Sequence, residues 1–212
     1  ILLVGGEDHR TGQKDHPEEC YDRLIQWTRT RFAQAGEVVY RWSGQVMESF
    51  DGRPFMGHNL FHSKHVYVLT GDCSDGTTFF TLGARIVTDQ IIGRENKYAS
   101  LYSPSRFSLK ALSGYIKESF NEASQYLKWL TPEQIENIES IPPGEGALMG
   151  NGVTKLAVYR DDTGHLFWIS AKCTHMGGAV CWNSSEKSWD CPCHGARFDP
   201  YGHVIEGPAM QD

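Results

Sequence analysis

Two short stretches near the end of the chain, Cys173-Thr174-His175 and Cys191-Pro192-Cys193-His194-Gly195, are separated by fifteen residues and limit the fold more than any other feature. Each offers one thiolate and one imidazole. Thiolates are soft ligands that suit iron in a sulfide-bridged cluster. Glycines at 177, 178 and 195 let two loops wrap closely around a bound group, and Pro192 stiffens the second loop. Cysteines occur at 20, 73, 173, 181, 191 and 193, the last four within 21 residues. Without a secretory signal, that clustering favours metal binding over a disulfide framework. One competing reading is tetrahedral zinc on two Cys and two His. Cys-x-His is tighter than the spacing such sites usually use. A disulfide with incidental histidines is the other alternative.

The remainder divides by pattern. The chain has 212 residues and a net charge of −6. That length allows one large domain or two small ones. The acidic balance argues against a nucleic-acid surface, which needs clustered Lys and Arg. No apolar run approaches the ~20 residues that cross a bilayer. With no signal peptide visible, a cytoplasmic location is expected. Ile1 to Gly6 reads as a buried strand ending in a glycine turn, and neither end of the chain closes an element, so a fragment of a longer protein is expected. Helical spacing marks Pro17 to Phe32, Thr77 to Ile92 and roughly 108–130, the last on Leu109, Leu112, Tyr115, Ile116, Phe120, Ala123, Leu127 and Leu130. Val38–Ser43, Gln45–Ser49 and His65–Thr70 alternate like strands. Thr131-Pro132-Glu133 resembles a helix start. Beyond about 140 the pattern is short strands at Ala147–Met149, Thr154–Arg160, His165–Ser170, Val180–Trp182, Ser188–Cys191 and His203–Ile205, with a hairpin turn at Asp161-Asp162-Thr163-Gly164.

The pattern C-x-H…C-x-x-H, within Cys-Thr-His-Met-Gly and Cys-Pro-Cys-His-Gly-Ala-Arg-Phe-Asp, resembles Rieske [2Fe–2S] domains over about residues 143–212. The resemblance implies that Cys173 and Cys191 bind one iron and His175 and His194 the other. It leaves Cys193 without a ligand role. Many high-potential members join a Cys at the position of Gly178 to the Cys at 193, and Gly178 removes that partner here. They also place Ser and Tyr hydroxyls where this chain has Ala196 and Phe198. Fewer hydrogen bonds to sulfur disfavour the reduced, more negative state, so a potential in the lower part of the Rieske range is expected.

Residues 1–106 resemble the C-terminal part of FAD-dependent oxidases of the D-amino-acid oxidase type. Three stretches carry the likeness: Gly5 to Gly12; Asp51-Gly52-Arg53-Pro54-Phe55-Met56-Gly57; and Val68 to Thr78, running into a helix. Such a glycine loop opening a helix points N–H groups at the flavin, which makes Gly71, Gly76, Thr77 and Thr78 the candidate FAD contacts. The bland reading of that stretch is a plain strand–turn–helix joint. The phosphate-binding Gly-x-Gly-x-x-Gly is absent, so this chain alone is not expected to hold FAD.

The implied fold class is α+β: a partial α/β flavin-oxidoreductase segment (1–106), a helical connector (107–142) and an all-β Rieske domain with a two-loop cluster-binding subdomain (143–212). The implied function is single-electron transfer between a [2Fe–2S] cluster and an FAD-dependent domain acting on an amine or amino-acid-like substrate. The partners would be that flavin domain or a separate redox protein, with no nucleic acid and no membrane. The alternative is a ferredoxin-like module without catalysis of its own. A Rieske oxygenase would need a further iron domain downstream. His9, His16, His58, His62 and His65 read as surface or turn histidines. Cys20, Cys73 and the six tryptophans read as packing residues.

Overall fold

The computed structural model describes residues 1–60, 65–106, 109–131, 135 and 137–212. Its helices are α1 (Glu18–Arg31), α2 (Gly76–Ile91), α3 (Ala99–Tyr102) and α4 (Leu109–Gln125). Its strands are β1 (Phe55–His58), β2 (Tyr67–Thr70), β3 (Glu145–Met149), β4 (Leu156–Arg160), β5 (Leu166–Ser170), β6 (Cys181–Asn183), β7 (Ser188–Asp190), β8 (Arg197–Phe198) and β9 (Val204–Glu206). Helix and sheet are mixed, as expected. Among the described residues no helix is long and apolar enough to cross a membrane.

Two compact units form, one from residues 1–45 with 121–212 and the other from 46–120. The first holds two antiparallel sheets, ordered β3-β4-β5 and β6-β7-β8-β9. The turn between β4 and β5 forms at Asp161 to Gly164, where the Asp161 carboxylate accepts the Thr163 and His165 N–H groups. Asp and Gly are suited to such a turn. Trp189, Ala157, Ala171, Ala179 and Phe198 fill the core together with Cys173, Cys191 and Cys193. The second unit pairs β1 with β2 and packs α2 against β1.

Several expectations are corrected. Residues 1–4 and 38–49 form no strand, and Ile1, Leu3, Val39, Tyr40 and Trp42 are exposed. Strand propensity needs a paired neighbour to be realised, and no described strand pairs with either segment. The helix expected to run to 130 ends at Gln125 and continues as a 3₁₀ turn, Tyr126–Leu130. There Tyr126 and Trp129 pack against the core, while Leu127 and Leu130 face outward. Trp27, Trp42 and Trp168 are exposed rather than packed. Pro132 and Glu133, in the expected helix start, and His62 lie outside the described residues.

Candidate metal centre

Two loops with one backbone plan carry the four expected ligands. In the first, the Cys173 N–H donates to Gly178 O at 2.9 Å, and the Gly177 N–H donates back to Cys173 O at 2.9 Å. In the second, the Cys191 N–H donates to Ala196 O at 2.8 Å, and the Gly195 N–H to Cys191 O at 2.9 Å. The fifth residue of each loop turns left-handed, with φ +75° at Gly177 and +81° at Gly195. A side chain there would cost roughly 1–2 kcal/mol. The first loop then places its imidazole two residues after the cysteine and the second places it three after.

The sulfur end is buried, with Cys173 at 2% and Cys191 at 1% exposure. The imidazole end reaches the surface: His175 is exposed and His194 half-buried, their rings perpendicular with centroids 4.9 Å apart. The Cys191 thiol hydrogen-bonds to the Cys173 sulfur, which lowers the Cys173 thiol and raises that of Cys191. Backbone N–H groups of His175 and Met176 also stabilise the Cys173 thiolate, and that of Cys193 the Cys191 thiolate. Such N–H donors favour negative charge on sulfur. Cys193 is buried beside them and Cys181 is a free thiol accepting from Lys128 Nζ at 3.3 Å, so these two are not paired.

The donors come as a sulfur pair, Cys173 with Cys191, and a nitrogen pair, His175 with His194. That suits two bridged irons with two protein ligands each better than a single tetrahedral zinc. The donor set therefore fits a [2Fe–2S] cluster.

Support for the loops comes from outside them. Tyr126 Oη donates to Met176 O at 2.9 Å and Trp129 Nε1 to Gly177 O at 3.1 Å. Burial, then the neighbouring cysteine charges, raise the Tyr126 phenol. Gln13 Nε2 donates to Pro192 O at 2.8 Å, and Gln45 Nε2 to Gly195 O. Buried Lys155 donates to Lys128 O at 2.6 Å and so anchors the 3₁₀ turn. None of these residues was found by sequence reasoning. The signal present was the spacing of Glu122, Tyr126 and Trp129, which share a helix face.

The four candidate FAD residues lie at the β2–α2 joint of the other unit. Gly71 is buried, α2 opens at Gly76, and Thr77 and Thr78 are exposed. The Asp72 carboxylate lies 2.7 Å from where a Gly76 Cβ would stand. It sets a negative charge beside the helix end. His9, His16, His58 and His65 are exposed, as expected of surface or turn positions.

Residues 132–212 match the Rieske [2Fe-2S] domain family and residues 1–90 the FAD dependent oxidoreductase family. In chain order, a match to an FAD-dependent oxidoreductase segment is followed by a match to a Rieske domain. A Rieske 2Fe-2S iron-sulfur protein of Bacillus subtilis is 34% identical over 212 residues, covering 100% of the chain and 42% of that protein. The cytochrome b6-f complex iron-sulfur subunit 2 of Cyanophora paradoxa is 33% identical over 132 residues, or 60% of the chain and 51% of that subunit. The plasma membrane Rieske protein of Synechocystis aligns with a TM-score of 0.29 and 31% identity, over 32% of this chain and 69% of that one. The chain thus spans about half or less of the two curated relatives' length. The Rieske family binds a [2Fe–2S] cluster, and the oxidoreductase family binds FAD.

Proposed function

We propose that Cys173 and Cys191 hold one iron of the cluster and His175 and His194 the other, and that the Rieske domain exchanges single electrons with the flavin part of the whole protein. The observation that carries the link is the grip on the second loop. Gln13 and Gln45, both inside the oxidoreductase match, donate to the carbonyls on either side of His194's place in that loop, Pro192 and Gly195. Gly12 packs so closely that a Cβ there would lie 2.9 Å from Asp190 O and Pro192 N. These are backbone contacts to the loop bearing a thiolate and an imidazole, and they favour an electron route on that side.

The residues of this chain divide the work. Buried Cys173 and Cys191 would hold their iron out of contact with water, and His175 and His194 would hold theirs at the surface, where a partner can approach. A bound flavin would supply the change from two-electron substrate oxidation to one-electron steps. The substrate is an amine or amino-acid-like molecule on this reading, and the connector between the two parts lies at 107–142. Ala196 and Phe198 are buried without a hydroxyl, which supports a potential low within the Rieske range of roughly −150 to +300 mV.

The test uses the full-length protein. Anaerobic addition of amine or amino-acid substrates should bleach the flavin and then raise a Rieske EPR signal, with average g below that of all-Cys clusters. Flavin reduction with the cluster still oxidised would overturn the link and leave a separate electron-transfer module. A colourless protein with zinc and no sulfide would overturn the ligand assignment.

A further inference from the structure

Among the described residues a carboxylate stands beside one of the two imidazoles. Glu122, in the last turn of α4, places Oε2 3.7 Å from His194 Nε2. This is ion-pair distance, longer than a hydrogen bond. The His194 side chain is 24% exposed. Among the described residues His175 has no such partner, and its ring is exposed at right angles to that of His194. With Nε2 turned to Glu122, His194 keeps Nδ1 for the interior of the site. Carboxylates on the outer nitrogen of ligand histidines fix ring orientation in metal sites generally.

Glu122 is not held at random. It shares a helix face with Tyr126 and Trp129, whose polar tips take the Met176 and Gly177 carbonyls of the first loop. One stretch of ten residues therefore reaches the first loop with two side chains and the second with a third. It is tied down behind by Lys155 at Lys128 O and at Thr131 Oγ1. The stretch precedes the Rieske match, which begins at 132.

We propose that Glu122 is a positioning residue for His194, fixing its ring and closing its outer edge, so that His175 is the single open imidazole through which a redox partner is met. The inference rests on the ligand assignment above. Two consequences follow. The carboxylate adds negative charge near the cluster and lowers its potential. It also covers one ring nitrogen and leaves the other bare.

The experiment takes the cluster-loaded protein and its Glu122→Gln and Glu122→Ala variants. Midpoint potentials are measured by protein-film voltammetry. Outer ring nitrogens are labelled with diethylpyrocarbonate and located by peptide mass spectrometry. Both variants should raise the potential, by about tenfold in the reduction equilibrium, or ~59 mV for one electron. Label should favour His175 in the parent and reach both histidines in Glu122→Ala. Potentials unchanged in both variants with the Rieske EPR signal intact, or equal labelling in the parent, would overturn the proposal. Absence of that signal in the parent would instead overturn the ligand assignment, and the inference with it.

Discussion

One buried group in each compact unit, the Asp51 carboxylate in one and the Cys173–Cys191 pair in the other, is paired in an opposite way. In residues 46–120 the Asp51 carboxylate is complete. Arg106 takes both its oxygens, at 2.9 and 2.8 Å, and Arg53 and Ser49 add further bonds. The Arg106 guanidinium in turn donates to Pro54 O and lies 3.9 Å over the Phe55 ring. The Asp51 group itself awaits no ligand. In the Rieske unit the buried Cys191 thiol donates to the Cys173 sulfur, and backbone N–H groups are aimed at both sulfurs. That arrangement is chemically unfinished until a cation replaces the protons. A buried polar group paired by fixed opposite charges is architecture; one held by protons that a cation can displace is a site.

The sharpest way to break this contrast is to delete the unfinished group. Cys191→Ala should abolish cluster loading altogether, read as loss of iron, sulfide and the EPR signal. Deleting the finished group should cost stability alone. Asp51→Asn leaves the Arg106 charge buried without its partner and should lower unfolding free energy by about 3–5 kcal/mol in urea melts. The sign with pH is fixed. Arg106's hydrogen bonds, then Arg53's, hold the Asp51 carboxyl below the usual range despite its burial. Its contribution is whole above the unfolded value of about 3.9 and lost as pH falls toward the folded one. Below pH 4 the parent should lose stability faster than Asp51→Asn. Equal slopes would sink the assignment.

The cluster loops were legible in the sequence because everything that defines them is local. Ligand spacing and the glycines at 177 and 195 lie within a few residues of one another, and the hydrogen bonds that close each loop span five residues at most. The turn at Asp161 and the helix ending before Gly93 were legible for the same reason. What holds the loops was hidden. Gln13 and Gln45 meet carbonyls 179 and 150 positions away, and nothing in a polar residue's neighbours announces so distant a partner. At the end of α4 the apolar stripe through Leu127 and Leu130 suggested the wrong inward face. Tyr126 and Trp129, one step round, carry polar tips that can satisfy buried carbonyls, and leucine cannot. The two-residue strand Arg197–Phe198 was too short to leave a pattern.

The two loops differ at one matched place, and that difference can be exchanged. Gly178 and Ala196 both supply the carbonyl that accepts the cysteine N–H. Ala196 is tolerated in the second loop. A Cβ on Gly178 would stand 2.5 Å from Cys193 Sγ and 3.1 Å from Cys191 Sγ. Gly178→Ala should therefore cost about 1–3 kcal/mol by overpacking and reduce cluster occupancy, checked by melting and iron content. Gly178→Cys turns the same closeness to use. The Cβ–Cβ separation from Cys193 would be 3.4 Å, near the range of natural disulfides. A bond to Cys193 should form on oxidation, seen as the loss of two thiols.

The smallest effect tests whether the support is energetic or merely adjacent. Trp129→Phe keeps the ring in the core and removes one donor, leaving Gly177 O without its 3.1 Å partner. A neutral hydrogen bond of this kind contributes about 0.5–1.5 kcal/mol. The loss should appear in the melting of the Rieske unit, while Gln13→Ala should lower stability within the same range by freeing Pro192 O on the other loop. The two loops share a backbone plan but draw on different supports, so the double variant should lose the sum of the two. A double variant that loses clearly more or less than the sum would mean the loops are coupled through the site between them, and the picture of two separately held loops would have to be given up.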